Sequence, residues 1–143
     1  MKTFFESLAI AFSMYSRIPV PQVRWDEKKM RWSLAFFPLV GAVVGGLLVG
    51  LVFLFRMLHA GAVFFAAIAV ALPVAVTGGI HLDGYCDACD ALGSHRGREE
   101  KLRIMKDPNV GAFGMIYTAV LLLVQFGAWD GIFRRPALIL CAG

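Results

Sequence analysis

Charge is scarce in this chain. Of 143 residues, 14 are Lys or Arg and 10 are Asp or Glu, where an average soluble domain has about a quarter of its residues charged. The charges are clustered, which leaves long windows with none. Cysteine is scarce as well: there are three, and Cys86 and Cys89 form a CxxC with no second such pair and no βαβ context around it. A zinc or thiol-redox site is therefore the lesser reading, and a cytoplasmic location would disfavour a stable disulfide. The pair reads better as small space-fillers. There are no internal repeats and no low-complexity tracts, and nothing resembles a nucleic-acid module. The first apolar stretch does not read as a cleavable leader, because Glu6 interrupts it and no small-x-small site follows.

What fills the space is apolar sequence. The chain is 59% hydrophobic with a mean hydropathy of +0.71, and its length allows one domain, spanning residues 1–143. A helix crosses a bilayer with about 20 apolar residues. Three windows reach that length: 33–55, 57–80 with one His near its start, and 110–129. A fourth apolar run starts at Pro136, and the sequence ends inside it. The expectation is an all-α, polytopic membrane bundle cut short within its fourth span. Gly41, Gly45, Gly46 and Gly50 predict a close seam between the first two spans. Pro38 and Pro73 predict kinks.

Basic residues set the orientation. Six lie in residues 1–32 (Lys2, Arg17, Arg24, Lys28, Lys29, Arg31) and five in 81–109 (Arg96, Arg98, Lys101, Arg103, Lys106). The turn at Arg56 has one, and the turn at Arg134 and Arg135 has two. The positive-inside rule puts the N-terminus and segment 81–109 on the cytoplasmic side. The net charge of +4 then reads as topology and contact with the lipid bilayer. In residues 1–21, Phe4, Phe5, Leu8, Ala9, Phe12 and Tyr15 recur at helical spacing, opposite Lys2, Glu6, Ser13 and Arg17. That pattern predicts an interfacial helix, ended by Ile18-Pro19-Val20-Pro21.

The chemistry concentrates after the second window, in His81-Leu82-Asp83-Gly84-Tyr85-Cys86-Asp87-Ala88-Cys89-Asp90. On a helix, Asp83, Asp87 and Asp90 share one face. Three acids so placed repel one another, and a hard divalent ion such as Mg²⁺ is the natural counter-charge. Arg98, Arg103 and Lys106 follow, on a stretch expected to be helical over 97–106. They read either as a solvated face with Glu99 pairing Arg103 or as a clamp for phosphate. Asp107-Pro108 predicts the start of the third span, with Asp107 as N-cap. The positive end of that helix is an anion site, and Gly111 and Gly114 would let a ligand approach the backbone.

These landmarks together resemble the cobalamin synthase family, the adenosylcobinamide-GDP ribazoletransferases. The matching stretches are Ser16-Arg17-Ile18-Pro19-Val20-Pro21, Phe37-Pro38-Leu39-Val40-Gly41 and Thr77-Gly78-Gly79-Ile80-His81-Leu82-Asp83-Gly84. Asp87, Asp90, Ile104-Met105-Lys106-Asp107 and Gly111-Ala112-Phe113-Gly114 complete the set. They cover most of 8–118. The family is longer, and small non-cysteine residues stand there at the positions of Cys86 and Cys89.

The resemblance implies a Mg²⁺-dependent enzyme of the cytoplasmic membrane. It would join adenosylcobinamide-GDP to α-ribazole or its 5′-phosphate and release GMP, with chemistry similar to that of the CDP-alcohol phosphotransferases. On that reading Asp83, Asp87 and Asp90 hold the metal, Asp90 or Asp107 takes the proton of the attacking hydroxyl, and His81 orients a carboxylate. Arg98, Arg103, Lys106, Gly111 and Gly114 contact phosphate. An oligomer is left open. The alternatives are a transporter using the acids as an ion site and a zinc- or thiol-dependent membrane protein.

Overall fold

The computed structural model describes the backbone of residues 2–21, 23 and 26–135, and their side chains except at 2, 3 and 27–31. Arg24 and the apolar run from 136, with Cys141, lie outside the described residues. The protein is helical, with no strand among the described residues. Its helices are α1 (Lys2–Tyr15), α2 (Glu27–Met57), α3 (Ala62–Thr77), α4 (Ile80–Gly93), α5 (Arg98–Ile104) and α6 (Ala112–Arg134).

Two of them are long and apolar enough to cross a membrane: the Trp32–Met57 part of α2, and α6. A third crossing exists if α3 and α4 count together, but the two are bent by 95° at their junction. The helix expected over 57–80 is thus shorter, Ala62–Thr77, and the bend falls at the end of that window. Residues 58–61 turn the chain, with His59 at φ 51. α3 then runs for 16 residues, about 24 Å at 1.5 Å per residue. Gly78 (φ 69) and Gly79 (φ 81) follow in the left-handed region, where a side chain is strained and glycine is not. These two glycines encode the bend, and the acids lie beyond it, on a helix set nearly at right angles to α3.

The packed end of the molecule is remote from the acids. Phe55 of α2, with Phe65 and Ala69 of α3, forms a buried cluster against Trp129 and Phe133 near the end of α6. Phe65 stacks on Phe133 with centroids 4.2 Å apart. Arg56 donates from Nη2 to the Phe133 carbonyl oxygen at 3.0 Å and lies 5.0 Å over its ring. The helix pair α2/α3 meets around this turn, through aromatic side chains. A Cβ added at Gly41, Gly45, Gly46 or Gly50 would meet nothing within 4 Å, so these glycines do not form the expected seam. α2 packs mainly on α1, and α3 packs on α6.

α1 turns a different face to the protein from the one its phenylalanines suggest. Ser7, Ile10 and Ala11, at i, i+3 and i+4, are buried, while Phe4 and Phe5 are exposed. Phe4 meets Phe36 edge-on at 4.9 Å, and Tyr15 meets Phe37 at 4.9 Å. Small residues allow closer helix approach, which leaves the larger rings at the margin. Just after α1, the Arg17 N–H donates to the Val76 carbonyl oxygen at 2.7 Å. The start of the chain is thereby tied to the last turn of α3.

Candidate active site at the glycine bend

α4 begins at the bend, and Asp83 lies one turn in, its N–H donating to the Gly79 carbonyl oxygen at 2.8 Å. Asp83 is exposed and Asp87 half-buried. They sit at i and i+4, on one face. Neither carboxylate has a hydrogen-bond or ion-pair partner among the described residues. Asp83 lines a recess of about 530 Å³ with Gly78, Gly79, Cys86 and Thr118. The Thr118 hydroxyl is buried there without a partner.

Asp90 behaves differently. It is only 7% exposed, and it bridges to the start of α6. The Gly111 N–H donates to Asp90 Oδ2 at 2.7 Å, and the Gly114 N–H donates to Oδ1 at 2.7 Å. Helix starts carry unsatisfied N–H groups and partial positive charge, which favour an anion. Here the protein fills that site with its own carboxylate. Gly111 and Gly114 therefore bind Asp90, where the sequence suggested a substrate phosphate.

The three acids do not converge on one point. No group of three or more His, Cys, Asp or Glu side chains is placed to hold a metal among the described residues. Asp90 is drawn away by two charge-assisted hydrogen bonds, each stronger than a neutral one. That leaves Asp83 and Asp87. Mg²⁺ is typically held by one or two protein carboxylates together with substrate phosphates and water. Two unpaired carboxylates a helical turn apart fit that requirement, so the donor set suits the metal without Asp90.

The α4–α6 seam explains the glycines and one cysteine. Cys86, Asp90 and Gly93 fall at i, i+4 and i+7 on α4. A Cβ on Gly114 would collide with Asp90 Oδ2 and would lie 2.5 Å from Cys86 Sγ and 2.8 Å from the Cys86 carbonyl oxygen. A Cβ on Gly93 would lie 2.5 Å from the Phe113 ring. Both Cys86 and Cys89 are free thiols, and Cys86 is buried, which fits the space-filling reading.

The remaining predicted residues are more scattered. His81 stacks on Tyr15 at 6.3 Å and meets Phe37 edge-on at 5.5 Å. Its ring joins α4 to α1 and α2, with no hydrogen bond to a carboxylate among the described residues. Arg98 opens α5 and is exposed. Arg103, whose side chain is 82% exposed, pairs with Glu100 at 3.8 Å. Arg96 pairs with the same Glu100 at 4.0 Å. The partner is Glu100, one residue on from the expected Glu99, and such exposed pairs are weak. Lys106 is exposed in the turn after α5.

Asp107 does not cap α6, which starts at Ala112 behind an extended Gly111. It closes a small turn: Oδ1 accepts the Asn109 N–H at 2.9 Å and the Asn109 side-chain amide at 2.7 Å. These two bonds, with help from the charge of Arg103, hold its carboxyl below the usual carboxylate range. Proline accounts for the shift of the helix start: Asp107-Pro108 opens a turn as readily as a helix, and the next N–H groups are claimed by Asp90. A lowered pKa also makes Asp107 a poor proton acceptor near neutrality, and both Asp90 oxygens are already occupied by N–H donors.

Two relationships carry no local signal in the sequence: the Asp90 bridge, and Arg17 lying on Gly78. A Cβ at Gly78 would come within 2.8 and 2.9 Å of Arg17 Cγ and Cδ. The paired glycines mark a bend, but nothing adjacent to them names the side chain that crosses it.

Residues 7–143 match the family model of cobalamin-5-phosphate synthase. A curated relative from Lachnoclostridium phytofermentans, named adenosylcobinamide-GDP ribazoletransferase, is 42% identical over 134 residues, which is 94% of this chain and 51% of the relative. A relative of the same name from Clostridium perfringens is 38% identical over 135 residues, 94% of this chain and 54% of the relative. One from Brevibacillus brevis is 46% identical over 123 residues, 82% of this chain and 48% of the relative. The chain spans about half the length of the curated relatives it matches. No solved structure matches it.

Proposed function

From the premise that this chain belongs to the cobalamin-5-phosphate synthase family, we propose that it carries the metal-binding half of an adenosylcobinamide-GDP ribazoletransferase. The protein would join adenosylcobinamide-GDP to α-ribazole or its 5′-phosphate and release GMP. The observation that carries this reading is the pair Asp83 and Asp87. They are one turn apart, without internal partners, at a 95° bend between apolar helices. Carboxylates left unpaired at such a bend stay unpaired at a cost unless a cation joins them.

In this reading Asp83 and Asp87 hold Mg²⁺, and Asp90 positions their helix against α6. Mg²⁺, when bound, supplies charge neutralisation of a diphosphate and of the departing nucleotide. The chain's own part is orientation. α4 holds the two carboxylates at the bend, and the Asp90 bridge fixes α4 to α6. Basic residues of α5 and the turn after it, Arg98, Arg103 and Lys106, give the same side of the molecule a positive field that attracts an anionic substrate. In this reading the site lies beside a bilayer, which the apolar faces of α2 and α6 support, and on the cytoplasmic face of the inner membrane, which the positive-inside pattern supports.

The test is GMP release from adenosylcobinamide-GDP and α-ribazole by the membrane-embedded protein, with and without a chelator. Release that stops on chelation and returns with Mg²⁺ supports the assignment. Chelator-resistant release, or none at any Mg²⁺ concentration, overturns it.

A further inference from the structure

We propose that Arg17 binds a phosphate of the anionic substrate beside Gly78, at the bend that leads to Asp83. The inference rests on the function proposed above and adds a residue to its site.

Arg17 is held at three levels. Its N–H donates to the Val76 carbonyl oxygen at 2.7 Å. Ser16 before it is buried, with its hydroxyl donating to the Phe12 carbonyl oxygen at 2.6 Å and accepting the Ile18 N–H at 3.3 Å. The methylene stem lies flat on Gly78, which has no room for a Cβ beneath it. The side chain is nonetheless exposed, and its guanidinium has no acceptor among the described residues.

The direction of the stem matters. Gly78 lines the same recess as Asp83, and Asp83 starts one turn past Gly79. Arg17 itself lines a neighbouring recess with Ser13, Ser16 and Ile18, so Arg17 on Gly78 and the Asp83 carboxylate in the next recess flank one glycine bend, and no ion pair closes between them. Such a pair suits a diphosphate, whose oxygens match the planar guanidinium fork, while a divalent ion held by the carboxylate would supply further counter-charge. The competing role is packing alone, because arginine stems commonly lie on apolar surface with the head in water.

Binding of GDP with Mg²⁺ to the protein in lipid nanodiscs separates the two roles. Arg17→Met keeps the stem and removes the fork. The expected result is GDP affinity reduced about tenfold or more, with a flatter salt dependence, and a thermal midpoint within about 2 °C of the parent. The KM for GMP release should rise with little change in kcat. Parent-like GDP affinity in Arg17→Met overturns the proposal, as does a parent protein that binds no GDP. If Arg17→Met lowers the midpoint, Arg17→Lys decides: severalfold weaker GDP binding at parent stability supports the phosphate role, and equal binding overturns it. A parent that binds GDP through Arg17 but releases no GMP would leave this inference standing while removing the proposed reaction.

Discussion

Asp90 and Gly114 are joined across the seam between α4 and α6 by a 2.7 Å hydrogen bond from the Gly114 N–H to Oδ1. The second oxygen is engaged as well, by Gly111 at 2.7 Å. The three acids of α4 therefore divide their work. Asp83 and Asp87 stay available at the bend, and Asp90 fixes the helix that carries them. A carboxylate at a helix start satisfies N–H groups that would otherwise be stranded in an apolar setting, where each would cost several kcal/mol.

Removing that bridge should loosen the site before it affects any metal ligand. Asp90→Asn retains one acceptor and loses the charge, and Asp90→Ala strands both N–H groups. The expected loss of stability is about 1–3 kcal/mol for Asn and more for Ala, on the scale for hydrogen bonds to charged groups. Thermal unfolding of the detergent-solubilised protein reads it. Activity should fall with stability, while Mn²⁺ affinity stays within a fewfold of the parent. A parent-like midpoint for Asp90→Ala would remove the anchoring role.

Gly114→Ala tests the closeness of the seam. Its methyl group would collide with Asp90 and press on Cys86, so a cost of about 1–3 kcal/mol from overpacking is expected. Cys86→Ala should be tolerated alone and should return part of that loss in the double variant, because the sulfur is one of the obstructing atoms. The Cys86 carbonyl at 2.8 Å remains and keeps the rescue partial. Additive losses in the double variant would mean that the two residues do not share the space.

The local features of this fold are legible in the sequence. Uncharged windows mark the long helices, because backbone polar groups in lipid must be satisfied within a helix. The spacing of Asp83 and Asp87 marks a shared face, because helical periodicity is local. The long-range features are not legible in the same way. The paired glycines at 78 and 79 mark a break at the end of the apolar run, but neither they nor hydropathy give the 95° between the two helices. Asp90 has the spacing of a third ligand, yet its partners are 21 and 24 residues away. The glycines of α2 have the spacing of a seam because small residues permit close approach. Permission is not contact, and α2 turns to α1 instead.

Asp83→Asn and Asp87→Asn should separate function from folding. Neither carboxylate makes an internal hydrogen bond, and like charges at i, i+4 cost about 0.2–0.5 kcal/mol. Each change should therefore leave the thermal midpoint unchanged or slightly raised in the absence of metal. Mn²⁺ binding, read by its paramagnetic signal, should weaken by about tenfold or more, since a charged oxygen ligand becomes neutral. GMP release should drop with it. Undiminished Mn²⁺ binding in both variants would dissociate these acids from any metal.

Asp107 makes a prediction in pH. Its carboxyl is held below the ordinary value, first by the Asn109 N–H, then by the Asn109 side-chain amide, with Arg103 adding to the effect. A group whose folded pKa is depressed stabilises the fold fully above its unfolded value, about 3.9 for Asp. That contribution is lost as pH falls through the lower folded value. Between pH 6 and 8 Asp107 is ionised throughout, so neither the turn nor activity should titrate through it in that window. Asp107→Asn keeps an oxygen that accepts the Asn109 bonds, and it should retain activity within a fewfold near neutral pH. Asp107→Ala removes the acceptor and should free the turn that leads into Gly111, which disturbs the Asp90 bridge indirectly. Proton exchange of the Asn109 amide gives the structural readout, protected in the parent and Asn variant and released in the Ala variant. A large, pH-independent loss of GMP release in Asp107→Asn with the amide still protected would show that the charge itself acts on substrate, and the turn-forming role would then be secondary.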